Sequence, residues 1–138
     1  MKIKLINGKE YLFDTIRKQY VKKLPEEWVR QHIIEYLNKQ KGYPLSLMSV
    51  EKKNEINKIK KRCDIVCNNK NGDPLLLVEC KAQNIKINVN TFNQSIIYNK
   101  TLNAKYIVIT NGKKHYCFYF QDGEIIILKH IPTYNECI

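Results

Sequence analysis

Asp64, Glu79 and Lys81 are the residues of this chain whose types and spacing suit chemistry. Asn71-Gly72 lies between two apolar runs, a strong signal for a two-residue hairpin turn, because a type I′ turn needs positive φ at both central residues. A turn centred there sets Lys70 against Asp73 and, counting back along both strands, Asp64 opposite Glu79. Side chains alternate between the faces of a strand, so Asp64, Glu79 and Lys81 are expected on one face while Cys63 and Cys80 meet on the other. Opposed residues have Cβ atoms about 4.5 to 5.5 Å apart, so two carboxylates there repel unless something positive lies beside them. A hard cation such as Mg²⁺, bonding oxygen at about 2.0 to 2.1 Å, can bridge the pair, and Lys81 adds an ammonium group next to the same pocket. The competing expectation is a solvated salt-bridge cluster of Arg62, Asp64, Glu79 and Lys81, in which each surface pair contributes about 0 to 1 kcal/mol. Leu75 to Val78 argues against it, since a continuous apolar run suits a strand buried on both faces.

The elements that must position this hairpin can be read on either side of it. Pro25 opens a helix, with Glu26 and Glu27 complementing its positive end. Trp28, Val29, His32, Ile33, Tyr36 and Leu37 recur at spacings of three and four, which predicts a broad buried stripe with His32 as a core histidine. The helix stops near Gly42 and Pro44. Leu45 to Glu51 is expected to be the first core strand, and the basic stretch Lys52 to Arg62 then delivers the chain to Asp64. A charge run is usually a solvated face, but lysines placed here can hold phosphates. After Lys81 a second helix begins near Val89 or Thr91, capped by Asn88 or Asn90. Phe92, Ile96 and Leu102 face the core, and Gln94 and Tyr98 stand at i and i+4 on one side. Strands follow at 104–110, 115–120 and 124–128, and the second helix makes a right-handed parallel crossover possible. Residues 1–24 read as an N-terminal arm, with a turn at Asn7-Gly8 and a short hairpin; Arg17 and Lys18 are either solvated or in reach of phosphate.

Asp64, followed after a hairpin by Glu79-Cys80-Lys81, resembles the PD-(D/E)XK nuclease signature. The run Leu76-Leu77-Val78-Glu79-Cys80-Lys81-Ala82 is similar to the N-terminal nuclease domain of type I restriction enzyme R subunits. Cys63 stands where the signature has proline, a residue that shapes the start of the strand and binds nothing. Gln94-x-x-x-Tyr98 resembles the motif that follows the catalytic lysine in RecB-like and type I restriction nucleases. The resemblance implies an α/β fold with a restriction-endonuclease-like core, a central mixed sheet flanked by helices, in a single domain over residues 1–138. It implies a Mg²⁺- or Mn²⁺-dependent nuclease acting on DNA, with metal on Asp64, Glu79 and the Cys80 carbonyl, and with Lys81, Gln94 and Tyr98 at the reaction. Such families often bring a first-helix glutamate toward the metal, which singles out Glu27 over Glu26, unless both merely serve the helix terminus. The alternative of a different class is a nucleic-acid-binding module of the same fold that does not cut. A homodimer and a larger restriction complex both stay open.

Composition agrees with a polyanionic partner. Lys and Arg number 24 against 13 Asp and Glu, a net charge of +11, and such a balance favours nucleic acid. No apolar run approaches the ~20 residues that span a bilayer, and Met1-Lys2-Ile3-Lys4 leads into a polar segment, so a cytoplasmic protein without a membrane partner is expected. Five cysteines, an odd number without zinc-finger spacing, are expected to be thiols filling core space.

Overall fold

A computed structural model describes residues 1–53 and 62–138, and the side chains of residues 51–64 are not among those described. Nine strands and three α-helices are present among the described residues. A three-stranded antiparallel sheet opens the chain, from β1 (Ile3–Ile6), β2 (Lys9–Asp14) and β3 (Gln19–Lys22). This is more than the arm with a short hairpin that the sequence suggests. A six-stranded sheet follows, in the order β4 (Met48–Lys53), β5 (Arg62–Asn68), β6 (Pro74–Cys80), β7 (Tyr106–Thr110), β8 (His115–Gln121) and β9 (Glu124–Leu128). It is mixed, because β6 and β7 run parallel while every other neighbouring pair is antiparallel. The crossover between β6 and β7 is helix α2 (Val89–Leu102), as a parallel pair requires. The expected α/β fold, a restriction-endonuclease-like core with a mixed sheet flanked by helices, is the one observed.

Helix α1 (Pro25–Lys41) covers one face of the large sheet, and α2 covers the other. Val29, Ile33 and Leu37 from α1 join Ile65, Leu76, Val78, Cys80 and Val108 in one buried cluster, which the short C-terminal helix α3 (Tyr134–Cys137) closes. Phe92, Ile96, Tyr98 and Leu102 of α2 pack on Val66, Leu77, Ile107, Ile109 and Phe118. With apolar layers above and below, Leu75 to Val78 is buried throughout, the outcome expected of a central strand.

Helix α1 itself is rotated from its expected setting. Its buried set is Glu27, Val29, Arg30, Gln31, Ile33, Ile34 and Leu37, whereas His32 is exposed and Tyr36 is 37% exposed. The physical reason is a second neighbour: the N-terminal sheet packs on α1 through Leu12 and Asp14, both fully buried. Burial on two sides draws Arg30 and Ile34 inward and turns the aromatic side out. His32 is therefore not the core histidine expected. The first core strand is also displaced, because Leu45–Leu47 forms a single 3₁₀ turn and extended pairing begins at Met48.

The β5–β6 hairpin reaches the expected register by an unexpected turn. Asn69 Oδ1 accepts from the N–H groups of Asn71 and Asp73, each at 2.9 Å, and this local side-chain bonding competes with a type I′ turn. Gly72, not Asn71, carries the positive φ, at 84°. The loop is consequently one residue longer, with Asn69 N–H bonded to the Asp73 carbonyl. Asn68 then pairs with Pro74 but Cys67 with Leu76, leaving Leu75 as a bulge. The two shifts cancel, and Asp64 faces Glu79.

Cys67, Cys80, Cys117 and Cys137 are buried, as expected of core fillers. Burial pushes both Cys67 and Cys117 up to about 12, so they stay protonated at neutral pH. The side chain of Cys63, expected to meet Cys80, lies outside the described residues.

Candidate active site

Glu79 lies next to last in the buried run of β6 and is only 1% exposed. An ionised carboxylate at that depth needs partners, and Ser95 and Lys81 are among them. Ser95 of α2 donates its hydroxyl to Oε1 at 2.9 Å, and Lys81 Nζ stands 3.1 Å from Oε2. Lys81 comes from the same face two residues on, and its own N–H continues the parallel ladder by bonding to the Thr110 carbonyl at 2.8 Å. The side chain of Lys81 remains 16% exposed, so this ammonium reaches from the buried carboxylate toward solvent.

Across the ladder, the backbone register places Asp64 opposite Glu79 and, on its other side, opposite Glu51 of β4. The side chains of Asp64, Arg62 and Glu51 are outside the described residues, as is the backbone from 54 to 61 within the basic stretch. Cys80 occupies the last position of β6, in register with Thr110 of β7, so its carbonyl belongs to the same sheet end as Glu79 and Lys81.

Helix α2 aligns its inner side with this site. Asn88 caps it by accepting from Thr91 N–H at 3.1 Å, which sets the start of the helix as expected from the sequence. Ser95 is fully buried beside Glu79. Tyr98, one turn further on, packs half buried against Val66 and Leu77, each two residues from the Asp64–Glu79 pair along its strand. Gln94 stands exposed next to Ser95. The structure brings Ser95 and Lys81 to Glu79 at the end of β6, while Tyr98 packs toward the middle of that strand, on Val66, Leu77 and Ala104. Ser95 escaped the sequence reading; the signal was a small polar residue in the inward stripe formed by Thr91, Ser95 and Leu102. Ser95→Ala removes the hydroxyl donor to a buried carboxylate oxygen and is expected to cost about 1 to 3 kcal/mol, read as a lower urea midpoint, while Ser95→Thr keeps most of it.

Glu27 is engaged elsewhere. Arg30 donates to both of its oxygens, Nε to Oε1 at 2.8 Å and one terminal nitrogen to Oε2 at 2.6 Å, and the same nitrogen reaches Asp14 Oδ2 at 2.7 Å. Burial works against the Asp14 carboxylate, but the hydrogen bond and charge of Arg30 outweigh it and hold the carboxyl below its usual value. Burial likewise opposes the Arg30 charge, and the two carboxylates overcome it and raise its pKa. Arg17, a candidate phosphate contact, lies 3.6 Å from Asp14.

The donor chemistry suits a hard cation: carboxylates on neighbouring strands and a backbone carbonyl, all oxygen. Among the described residues no three His, Cys, Asp or Glu side chains gather as a metal site. No helix among them is long and apolar enough to cross a membrane.

No curated protein and no solved structure matches the chain. The family described as type I restriction enzyme R protein N terminus matches residues 25–132 of the 138. That span runs from the first residue of α1 past β9, and so takes in the whole large sheet, both helices that flank it, and Asp64, Glu79, Lys81, Gln94, Ser95 and Tyr98. The chain belongs to the family of type I restriction enzyme R protein N-terminal domains.

Proposed function

We propose that this domain is a metal-dependent nuclease that hydrolyses phosphodiester bonds in DNA. The observation that carries the reading is the buried Glu79 carboxylate, held by Ser95 and Lys81 and set by register across from Asp64. Membership in a restriction enzyme family supports it, and the net charge of +11 suits a polyanionic substrate.

In this reading Asp64, Glu79 and the Cys80 carbonyl hold Mg²⁺ or Mn²⁺. When bound, such an ion polarises a phosphoryl oxygen and lowers the pKa of a water ligand. Lys81 acts as a fixed cation beside the scissile phosphate, oriented by its ion pair with Glu79 and stabilising charge that develops in the transition state. Ser95 keeps Glu79 in one rotamer. Gln94 and Tyr98, on the adjoining helix, contact the phosphate or Lys81. Glu27 is given no part, because Arg30 occupies both of its oxygens. The working assembly is a larger restriction complex.

Plasmid digestion with Mg²⁺ or Mn²⁺ tests the reading. Nicking or linearisation that disappears on chelation and in Asp64→Ala is the expected result; cutting that survives Asp64→Ala would sink it. Cys63 at the position of the signature's proline motivates one competitor, a module that binds without cutting. That module would show salt-steep DNA binding, as counterion release dictates, with no heat of Mn²⁺ binding in calorimetry.

A further inference from the structure

The aromatic side that α1 turns outward borders a furrow. Its first section, about 340 Å³, is lined by Trp28, His32, Tyr36, Gln83, Gly112 and His115, among others. A second section of about 160 Å³ shares Tyr36 and His115 and continues to Lys41, Lys129 and His130. The chain's single tryptophan and all three of its histidines therefore fall along one depression.

The rings are arranged in pairs. Trp28 and His32 meet edge to face at 4.4 Å between centroids, and Tyr36 and His115 lie stacked at 6.0 Å with 12° between their planes. Residues 28, 32 and 36 are successive i, i+4 neighbours, so the rings form a row along the helix. Burial lowers the pKa of His115, so this ring is uncharged at neutral pH and presents a flat neutral surface. Lys23 Nζ sits 4.9 Å over Trp28, Lys41 and Lys129 line the far section, and Lys113 and Lys114 follow Gly112 directly. Among the described residues no Asp or Glu lines either section. Aromatic planes inside a purely cationic rim are the pattern that binds unpaired nucleic acid, because every base has a face to stack while the rim neutralises phosphate.

The furrow lies on the α1 side of the sheet, and its Gln83 and Gly112 border the strand end that carries Glu79 and Lys81. Gln83 is two residues beyond Lys81, and Gly112 two beyond Thr110, whose carbonyl accepts the Lys81 N–H. We propose that this furrow seats an unpaired stretch of nucleic acid, its bases stacked on the Trp28–His32 and Tyr36–His115 ring pairs and its phosphates met by the lysines of the rim. The proposal rests on nucleic acid being the substrate, and it assigns a single-strand subsite at the same strand end as the proposed reaction centre.

Trp28 makes occupancy directly readable, since no other tryptophan contributes to the emission. The experiment titrates the protein with a short thymidine oligomer, a duplex of the same length and inorganic polyphosphate, all in chelator so that no cutting occurs. Saturable quenching by the oligomer, with neither the duplex nor polyphosphate reproducing it, is expected. Tyr36→Ala and His32→Ala, both at exposed positions compatible with a folded protein, are each expected to weaken oligomer binding about 5- to 100-fold, the equivalent of one stacked base. Equal quenching by polyphosphate or by duplex, no quenching at all, or unchanged oligomer affinity in both variants would overturn the proposal. Because chelator removes the cutting step, a protein that binds the oligomer but never cuts plasmid keeps the furrow and loses the nuclease reading. A protein that cuts while Trp28 stays silent does the reverse.

Discussion

Glu79→Gln is expected to lower metal-dependent cleavage by about 10³-fold while leaving the protein folded. Glutamine preserves the volume of a side chain that is 1% exposed and keeps an oxygen to accept from Ser95 at the position where Oε1 lies 2.9 Å from the hydroxyl. What it removes is the negative charge that would hold a cation and that orients Lys81 Nζ, 3.1 Å away. Lys81 loses its anion but is 16% exposed, so the ammonium can turn to water and the change should not leave a stranded buried charge. Lys81→Met is expected to cost about 10² to 10³ in rate, the size of losing one preorganised electrostatic contact. The pair differ in calorimetry: Glu79→Gln should abolish Mn²⁺ binding, whereas Lys81→Met should retain it. Wild-type cutting by Glu79→Gln would place the chemistry elsewhere on the molecule.

The largest expected effect on stability lies at Arg30, away from the proposed chemistry. Arg30→Met leaves Asp14 and Glu27 buried without the guanidinium that bonds to both, and breaking a buried pair in this way costs about 3 to 5 kcal/mol. For a chain of this size that is roughly 10 to 20 °C in melting temperature, measurable by calorimetry. Replacing all three, Asp14→Leu with Glu27→Leu and Arg30→Met, is expected to recover most of the loss, because the desolvation of three charges disappears with their attraction. The acid limb carries a sign. Asp14 has its pKa lowered in the folded state, so its contribution is fully present above the usual carboxylate value of 3.8. It is lost as pH falls through the depressed one. The difference in stability between the native protein and Arg30→Met should therefore shrink in acid; a difference that grows as pH falls would contradict this account of the cluster.

Much of the central architecture was legible because it rests on local chemistry. The apolar run of β6, the asparagine cap of α2 and the charged pair at Glu79 and Lys81 all follow from residues near one another in sequence. What was not legible depends on contacts between distant segments. An arginine on a helix ordinarily reads as solvated, and nothing local reveals that Asp14, sixteen residues earlier, arrives on a strand to meet it. The same packing turned His32 and Tyr36 outward against their helical periodicity. Ser95 was passed over for its neighbour Gln94, since a serine carries no message about function until a buried carboxylate is seen beneath it. The family match likewise begins at residue 25, yet Asp14 supports Arg30 from outside that boundary, so a protein trimmed to the matched span would lose one of the two carboxylates that the guanidinium bonds.

The hairpin between β5 and β6 behaves like a reading frame. Its three-residue loop and the bulge at Leu75 each displace the pairing by one place, in opposite directions, and only their sum brings Asp64 opposite Glu79. Because strand faces alternate, a single residue added or lost between those positions would send Glu79 to the α1 side and bring Cys80 beneath α2. Length changes in this loop are therefore tolerable in compensated steps, one residue in the turn exchanged for one in the bulge. Relatives with longer or shorter hairpins should preserve that parity more strictly than they preserve any turn residue.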